Sequence, residues 1–194
     1  MRWWLGILFA FVVFSGCAYK KDNSPLNFAP YTPKNAPIIA GKTVQKIYLK
    51  SVVDKRESTS IVAAATNSSG EMIGTAVSAT SIPLWLYESV KKGLEKRGIE
   101  VINTPQKDVK KVDMDLREFF STYDGEIFEG KNMKAIMFVK LKIQDGQKTI
   151  TKNISQSQNQ WKGIVDEAAD FKPFLQVLLN DITTRIIENI VKEL

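Results

Sequence analysis

The chain has 194 residues, of which 27 are basic and 21 acidic, giving a formal net charge of +6. It contains no histidine and one cysteine, Cys17, which excludes a disulfide and any Ser-His or Cys-His pair. Carboxylate catalysis alone stays open, so the composition favours a non-enzyme without a metal or a cofactor. The basic excess suits contact with anionic lipid headgroups or plain solubility, and no dense basic run predicts nucleic-acid binding.

The N-terminus has the layout of a secretory signal. Arg2 precedes an apolar run over 3–14, and two small residues precede Cys17. The run is shorter than the roughly 20 residues of a membrane-spanning helix, so we predict a cleaved signal peptide over 1–16. Residues 14–17 resemble the lipobox of bacterial lipoproteins, which implies that Cys17 is acylated and becomes the first residue. An ordinary signal with an incidental free thiol is the alternative.

Ala18 bears on the location. In enteric lipoproteins, aspartate after the acylated cysteine is the usual signal for retention in the inner membrane, and this chain has alanine there. The resemblance therefore implies the outer membrane, on its periplasmic face, with surface exposure as the alternative. Two acyl chains anchor a protein stably.

Residues 17–43 form a predicted tether between the lipid and a single domain over 44–194. Pro25, Pro30, Pro33 and Pro37 exclude a regular helix or a central strand and favour an extended chain. We interpret this segment as a spacer that holds the domain away from the lipid surface.

The first half of the domain is predicted to hold a strand, a loop, a helix and a short strand over 99–102. The strand over 46–53 is rich in β-branched and aromatic residues and ends in Asp54-Lys55-Arg56. The small polar residues over 57–80 predict a long loop, in which 61–65 or 72–77 could add short pieces of structure. A helix begins near Ile82 and ends at Gly98.

The second half is predicted to hold a three-stranded meander and a helix. Alternating residues from Val112 to about Tyr123 and again over 133–143 predict strands, and Asp145-Gly146 predicts a hairpin. An amphipathic helix starts near Asp170. The predicted fold is α+β, an antiparallel sheet of four to five strands with two amphipathic helices packed on one face.

This order of elements resembles the YajG-like family of bacterial lipoproteins over most of the domain. The resemblance rests on five pieces: the strand ending in Asp54-Lys55-Arg56, the helix end Lys96-Arg97-Gly98-Ile99, the strand from Val112, the hairpin over 134–148 and the C-terminal helix. The family has no established active site, so the resemblance implies no catalytic residue. The architecture is also similar to small envelope lipoproteins that assist transport or assembly machines.

Two charged pairs are candidate sites. Asp54 and Arg56 close a strand and could mark a binding edge, but a strand terminus with a local ion pair or a capped loop is favoured. Asp113 and Asp115 lie two residues apart, on one face of a strand, where two carboxylates could hold a cation or act as an acid and a base. Arg117 continues that face and would compensate them, so a solvated sheet face is favoured.

Aromatic residues and an edge strand are further candidates. Trp85, Tyr87 and Trp161 could line a groove for a lipid or a peptide, although aromatics at helical spacing are more often core. The 57–80 loop could make specific contacts. The polar strand over 155–160 is predicted to be an edge that could accept another strand.

The predicted function is that of a non-catalytic outer-membrane lipoprotein. Its periplasmic domain would bind or assist another envelope component, with the membrane contacted through the acyl chains on Cys17. One alternative is a carrier of lipid or a hydrophobic ligand between the helices and the sheet. A surface-exposed adhesin is the other.

Overall fold

The computed structural model describes residues 25–33, 45–125, 132–163, 165 and 167–194. The predicted signal peptide over 1–16 and Cys17 lie outside these residues. The described residues form eight strands, two α-helices and one 3-10 turn: β1 (Lys46–Leu49), β2 (Val53–Asp54), β3 (Ile61–Thr66), β4 (Met72–Val77), α1 (Ile82–Glu95), β5 (Glu100–Ile102), β6 (Lys110–Asp124), β7 (Met133–Asp145), β8 (Lys148–Gln160), the turn (Ala168–Asp170) and α2 (Phe171–Lys192).

Strand β6 organises the sheet. One of its edges pairs antiparallel with β7 along nearly the whole strand, and β7 pairs antiparallel with β8. Its other edge is shared by β1, β2 and β3, which lie one after another and all run parallel to β6. Strand β5 is parallel to β1, and β4 is antiparallel to β3. The result is an eight-stranded mixed sheet curled into a half-barrel.

The predicted antiparallel sheet of four to five strands is therefore wrong, for two physical reasons. Residues 57–80 carry β3 and β4 instead of a long loop. In addition, β1 reaches its neighbour β5 through the crossover helix α1, and a crossover of this kind lets two strands run in the same direction. The prediction treated sequence neighbours as hairpin partners, which fits β3 with β4 and the run of β6, β7 and β8, but not β1, β2 and β5, which pair in parallel.

Both predicted helices are present, and they cover one face of the sheet. Alternate residues of β7 from Met133 to Ile143 are buried, as are Ile182, Ile186 and Ile190 of α2. The residues between them in β7 lie on the opposite face and stay half-buried or exposed. We call this opposite side of the sheet the helix-free face.

The two helices meet closely at Gly93 of α1. A Cβ atom at this position would lie 2.2 Å from Cδ1 of Ile187 in α2, which is buried. Gly93 therefore allows a close approach that a side chain would obstruct.

Part of the predicted tether packs on the folded domain. Residues 25–33, which we call the strap, are extended, and Leu26, Phe28 and Tyr31 are buried. The Phe28 ring meets the Phe119 ring edge-on, with 5.9 Å between centroids. The rest of the predicted tether, 17–24 and 34–43, lies outside the described residues.

Candidate functional site

Asp54 and Arg56 form a two-pronged ion pair where β2 ends. The Arg56 Nε and Nη2 groups donate to the two carboxylate oxygens of Asp54 at 2.9 and 2.7 Å, and Nη2 also donates to the Thr59 carbonyl at 2.8 Å. Only 4% of the Arg56 side chain is exposed. Its Nη1 group is buried and has no hydrogen-bond partner within the described residues. Burial of one unsatisfied donor on a charged side chain is costly, which makes Arg56 unusual among the described residues.

The charge state of Asp54 follows from this geometry. Partial burial alone raises the pKa of its carboxyl, but the hydrogen bonds and positive charge of Arg56 outweigh burial and hold the pKa below its ordinary value. Asp54 is therefore ionised at neutral pH and cannot serve there as a proton donor.

Arg56 also lines a cavity of about 620 Å³ on the helix-free face. Its floor is formed by Ala64 of β3, Thr75 of β4 and Phe120 of β6. Ile61 and Met72 add apolar surface, and 67% of Met72 is exposed. The remaining lining residues are Glu57, Ser58, Arg117, Glu118 and Phe119. An apolar floor with a few charged groups at the rim is typical of a ligand site, and the volume lies in the usual range of such sites.

A β-bulge shapes one wall of this cavity. In the pairing of β6 with β7, Leu116 lies opposite Val139 and Glu118 lies opposite Phe138, so Arg117 is an extra residue. The bulge shifts the alternation of β6, and bulges often re-aim side chains beside functional sites. On the helix-free face, β6 therefore presents Asp113 and Asp115 before the bulge and Phe120 after it.

Asp113 and Asp115 lie on the helix-free face, each beside basic groups. Asp115 accepts from Lys55 at 3.0 Å and lies 3.4 Å from Arg117, the residue predicted to compensate it. Asp113 lies 3.7 Å from Lys50 and 3.9 Å from Lys111. Burial alone raises the pKa of Asp115, but the Lys55 hydrogen bond and the neighbouring positive charges lower it overall. This arrangement neutralises the two carboxylates rather than preparing one of them as an acid.

Strand β7 gives the helix-free face a mixed basic and apolar surface. Ile136 and Phe138 lie next to each other on this side of the strand, flanked by Lys134 and Lys140. From the sequence, these positions are predicted only as the mostly polar residues that alternate with the buried ones. Their own alternation, two large apolar residues between lysines, was the signal that could have identified this surface.

Trp85 and Trp161 do not form a common groove. Trp85 is buried on α1, and its indole N–H donates to the Ala29 carbonyl of the strap at 2.9 Å. Tyr87 is half-buried against the core. Trp161 follows β8 and is 58% exposed. Trp85 lines a smaller cavity of about 250 Å³ between α1 and the strap, so it contributes mainly to holding the strap.

The strap is fixed by hydrogen bonds at both ends. Leu26 donates to Val77 at 2.8 Å and accepts from Ala79 at 3.0 Å, which joins the strap to the end of β4. The Lys92 Nζ group donates to the Tyr31 carbonyl at 3.2 Å, and the Lys96 Nζ group donates to the Pro33 carbonyl at 3.3 Å. The chain therefore enters the described domain beside β4, one wall of the cavity.

Strand β8, the predicted edge, pairs with β7 and with no other described strand. Arg185 of α2 donates to the Ser155 carbonyl and to the Gln156 side chain, both at 2.6 Å. Gln158 donates to the Phe174 carbonyl. These bonds tie β8 to α2 and occupy part of its hydrogen-bonding capacity.

The described residues hold neither a cluster of metal ligands nor a membrane-spanning helix. Within them, no group of three or more acidic, histidine or cysteine side chains is placed to hold a metal ion. Among the described helices, none has the length and apolar character required to cross a bilayer.

Comparison with known families identifies the class. A family model described as "Uncharacterized lipoprotein" (Lipoprotein_16) matches residues 35–192. The chain belongs to this family of lipoproteins, and the predicted resemblance to YajG-like lipoproteins is confirmed. No curated protein matches the chain.

Solved structures show the same fold at low sequence identity. Protein XCC0632 from Xanthomonas campestris, of family DUF330, is 17% identical, with a TM-score of 0.56 over 83% of this chain and 92% of that one. A crystal structure of an uncharacterized protein is 10% identical, with a TM-score of 0.52 over 84% and 99%. Lipoprotein GNA1162 from Neisseria meningitidis is 9% identical over 74% and 99%, and its TM-score of 0.40 is too low to support an argument.

Proposed function

We propose that this chain is a non-catalytic outer-membrane lipoprotein whose periplasmic domain binds another envelope component through its helix-free face. The observation that carries this proposal is the cavity of about 620 Å³ beside Arg56. The cavity combines an apolar floor with the fixed guanidinium of Arg56 in its wall and further charged groups at its rim. Such a lining suits a ligand or partner with both apolar and polar groups.

The proposed anchor is the acylated Cys17, and the strap limits its reach. Because residues 25–33 are held against the domain, only the stretch 18–24 is left between the lipid and the strap. A chain of that length extends at most about 25 Å. The domain would therefore work close to the membrane surface, and a partner would have to be in the membrane or beside it.

The absence of catalysis is part of the proposal. The two carboxylates nearest the cavity that have perturbed pKa values, Asp54 and Asp115, are both held ionised by basic neighbours. A general acid at neutral pH needs a raised pKa instead. This charge pattern favours a binding surface over an acid and base pair.

A hydrophobic-ligand carrier is the second candidate, and the cavity volume favours it. The expected place for such a ligand, between the helices and the sheet, is filled by core side chains. Met137 of β7 and Ile186 of α2, for example, are fully buried there. A carried ligand would instead occupy the helix-free face.

Photo-crosslinking in cells tests the proposal. A photoreactive amino acid is placed at Phe138 on the helix-free face and, as a matched control, at Lys172, which is exposed on α2. We expect irradiation to give a discrete adduct, protein or lipid, from position 138 and none from position 172. Adducts of equal intensity from both positions, or none from position 138, would contradict the proposal.

A further inference from the structure

Strand β7 presents basic groups on the helix-free face that form no ion pair within the part of the chain that the structure describes. Lys134 and Lys140 take part in no ion pair among the described residues. Strand β7 contains no acidic residue before its last position, Asp145. On the same side of the neighbouring strand β8 the residues are uncharged: Thr149, Thr151, Asn153, Ser155, Ser157 and Asn159. On β6, Asp115 lies opposite Lys140, but its carboxylate is held by Lys55 and Arg117, and Thr122 lies opposite Lys134. Neither lysine is engaged by an acid of the described residues, so both can meet an anion.

Large apolar side chains lie directly between these lysines. Ile136 and Phe138 separate Lys134 from Lys140 along the strand, and both are half-buried although no helix covers this side. In the pairing register Ile136 lies opposite Phe120, which lines the cavity. An apolar strip therefore runs continuously from β7 across β6 to the cavity floor. Two acidic side chains of β6 border this strip: Glu118, which is exposed and lies opposite Phe138, and Asp115, which lies opposite Lys140.

The position of the strap brings this face within reach of a bilayer. The strap joins the end of β4, and β7 lies three strand spacings away across β3 and β6. Three spacings amount to about 14 Å, whereas the stretch 18–24 extends up to about 25 Å. The face can therefore contact the membrane that holds the proposed anchor without releasing the strap.

We infer that the helix-free face binds an anionic phospholipid of that membrane. Lys134 and Lys140 lie six residues, about 20 Å, apart along β7, so a phosphate would lie at either one of them, and the hydrocarbon would follow Ile136, Phe138 and Phe120 toward the cavity. This inference rests on the proposed function, because the anchor supplies the membrane and the face is the same. A cavity of about 620 Å³ accommodates a small ligand or an acyl chain. Lysines that flank an apolar strip match an anionic lipid, because the headgroup would meet the basic groups and the acyl chain would meet the apolar side chains.

Vesicle binding tests the inference with the unacylated chain over 18–194, which contains every described residue. The chain is sedimented with vesicles of phosphatidylcholine alone or of phosphatidylcholine mixed with phosphatidylglycerol. We expect binding to the mixed vesicles only, weakened by added salt. Lys134→Gln with Lys140→Gln should lower the partition coefficient about 30-fold, since each basic group near an anionic surface contributes about a factor of five.

The matched control is Lys172→Gln with Lys192→Gln, which removes the same charge from exposed positions on α2. Those positions lie on the other side of the sheet, so the partition coefficient should stay within about twofold of the parent value because screening removes charges beyond about 10 Å. A third variant, Phe138→Ser, should weaken binding without any change in charge. Circular dichroism and thermal unfolding verify that each variant is folded.

Three results would overturn the inference: no binding to the mixed vesicles, an equal loss in the two lysine variants, or unchanged binding by Phe138→Ser. Its failure can be distinguished from failure of the proposed function. A protein adduct from position 138 in cells, together with no vesicle binding, rejects the lipid and retains the envelope partner. No adduct from position 138 rejects the proposed function itself.

Discussion

Replacing Phe28 with alanine tests whether the strap belongs to the folded unit. Phe28 lies in a proline-rich segment that reads as a linker, yet it is 7% exposed and packs edge-on against Phe119. A linker residue contributes nothing to folding stability. A buried aromatic residue contributes through its transfer from water and through the cavity that its removal leaves.

The expected loss can be worked from these contacts. Truncating a buried phenylalanine to alanine lowers the free energy of unfolding by about 3–5 kcal/mol, of which an edge-on aromatic pair supplies about 1 kcal/mol. Phe28 lies at the edge of the core, where neighbouring side chains can partly fill the cavity left by its removal. We therefore expect the free energy of unfolding to fall by about 3 kcal/mol, the lower end of this range. For a chain of this size that loss lowers the melting temperature by about 6–12 °C.

Urea unfolding followed by tryptophan fluorescence measures this change. The matched control is Asn27→Ala, because Asn27 is the exposed neighbour in the same strap. The control should change the free energy of unfolding by less than about 0.5 kcal/mol. A loss below about 1 kcal/mol for Phe28→Ala would refute the assignment of the strap to the core.

Two further predictions concern the helix contact and the buried ion pair. Gly93→Ala should lower the free energy of unfolding by about 1–2 kcal/mol, because overpacking against Ile187 exceeds the gain in helix propensity. In an Ile187→Val background this loss should largely disappear. A Gly93→Ala variant more stable than the parent in urea unfolding would refute the close-packing explanation. Asp54→Asn should lower the free energy of unfolding at pH 7 by about 2 kcal/mol, because it leaves Arg56 without its partner. Folding lowers the pKa of Asp54, so its contribution is present above the ordinary carboxyl pKa and is lost as the pH falls through the folded value. The difference between the two proteins should therefore narrow below about pH 4, and a gap that widens in acid, measured by urea unfolding across pH, would count against this account.

Elements that rest on local signals could be predicted from the sequence. The four-residue recurrence of apolar residues placed α1 at Ile82, and Pro83 in its first turn agrees with the observed start. Asp145 and Gly146 predicted the hairpin between β7 and β8, where Gly146 adopts a φ of 57°. Both signals depend on a few residues close in sequence, which is why they survive in the folded structure.

Elements that depend on distant contacts could not be predicted. Strand preference is weak in the small residues over 57–80, where the sequence indicated only possible short pieces at 61–65 and 72–77. Strand β3 forms because β6 offers an edge to pair with, and β4 then pairs with β3. The strap is buried because α1, α2 and β4 provide its partners. The bulge at Arg117 changes which residues of β6 share a face, and no local pattern marks it.

The candidate site was predicted in part. Asp54 and Arg56 at a strand end are the candidate pair that the sequence indicates, and Arg56 lines one wall of the cavity. Its floor brings together Ala64, Thr75 and Phe120 from three strands, and their proximity follows from the mixed pairing that the sequence did not reveal.

Mass spectrometry of the mature protein extracted from membranes tests the central claim, that a lipid on Cys17 holds this domain at a bilayer. We predict an N-terminal peptide that begins at Cys17 and carries diacylglycerol and an amide-linked acyl chain. A peptide beginning at Cys17 with an unmodified thiol, or a mature chain that retains residues 1–16, would contradict the account.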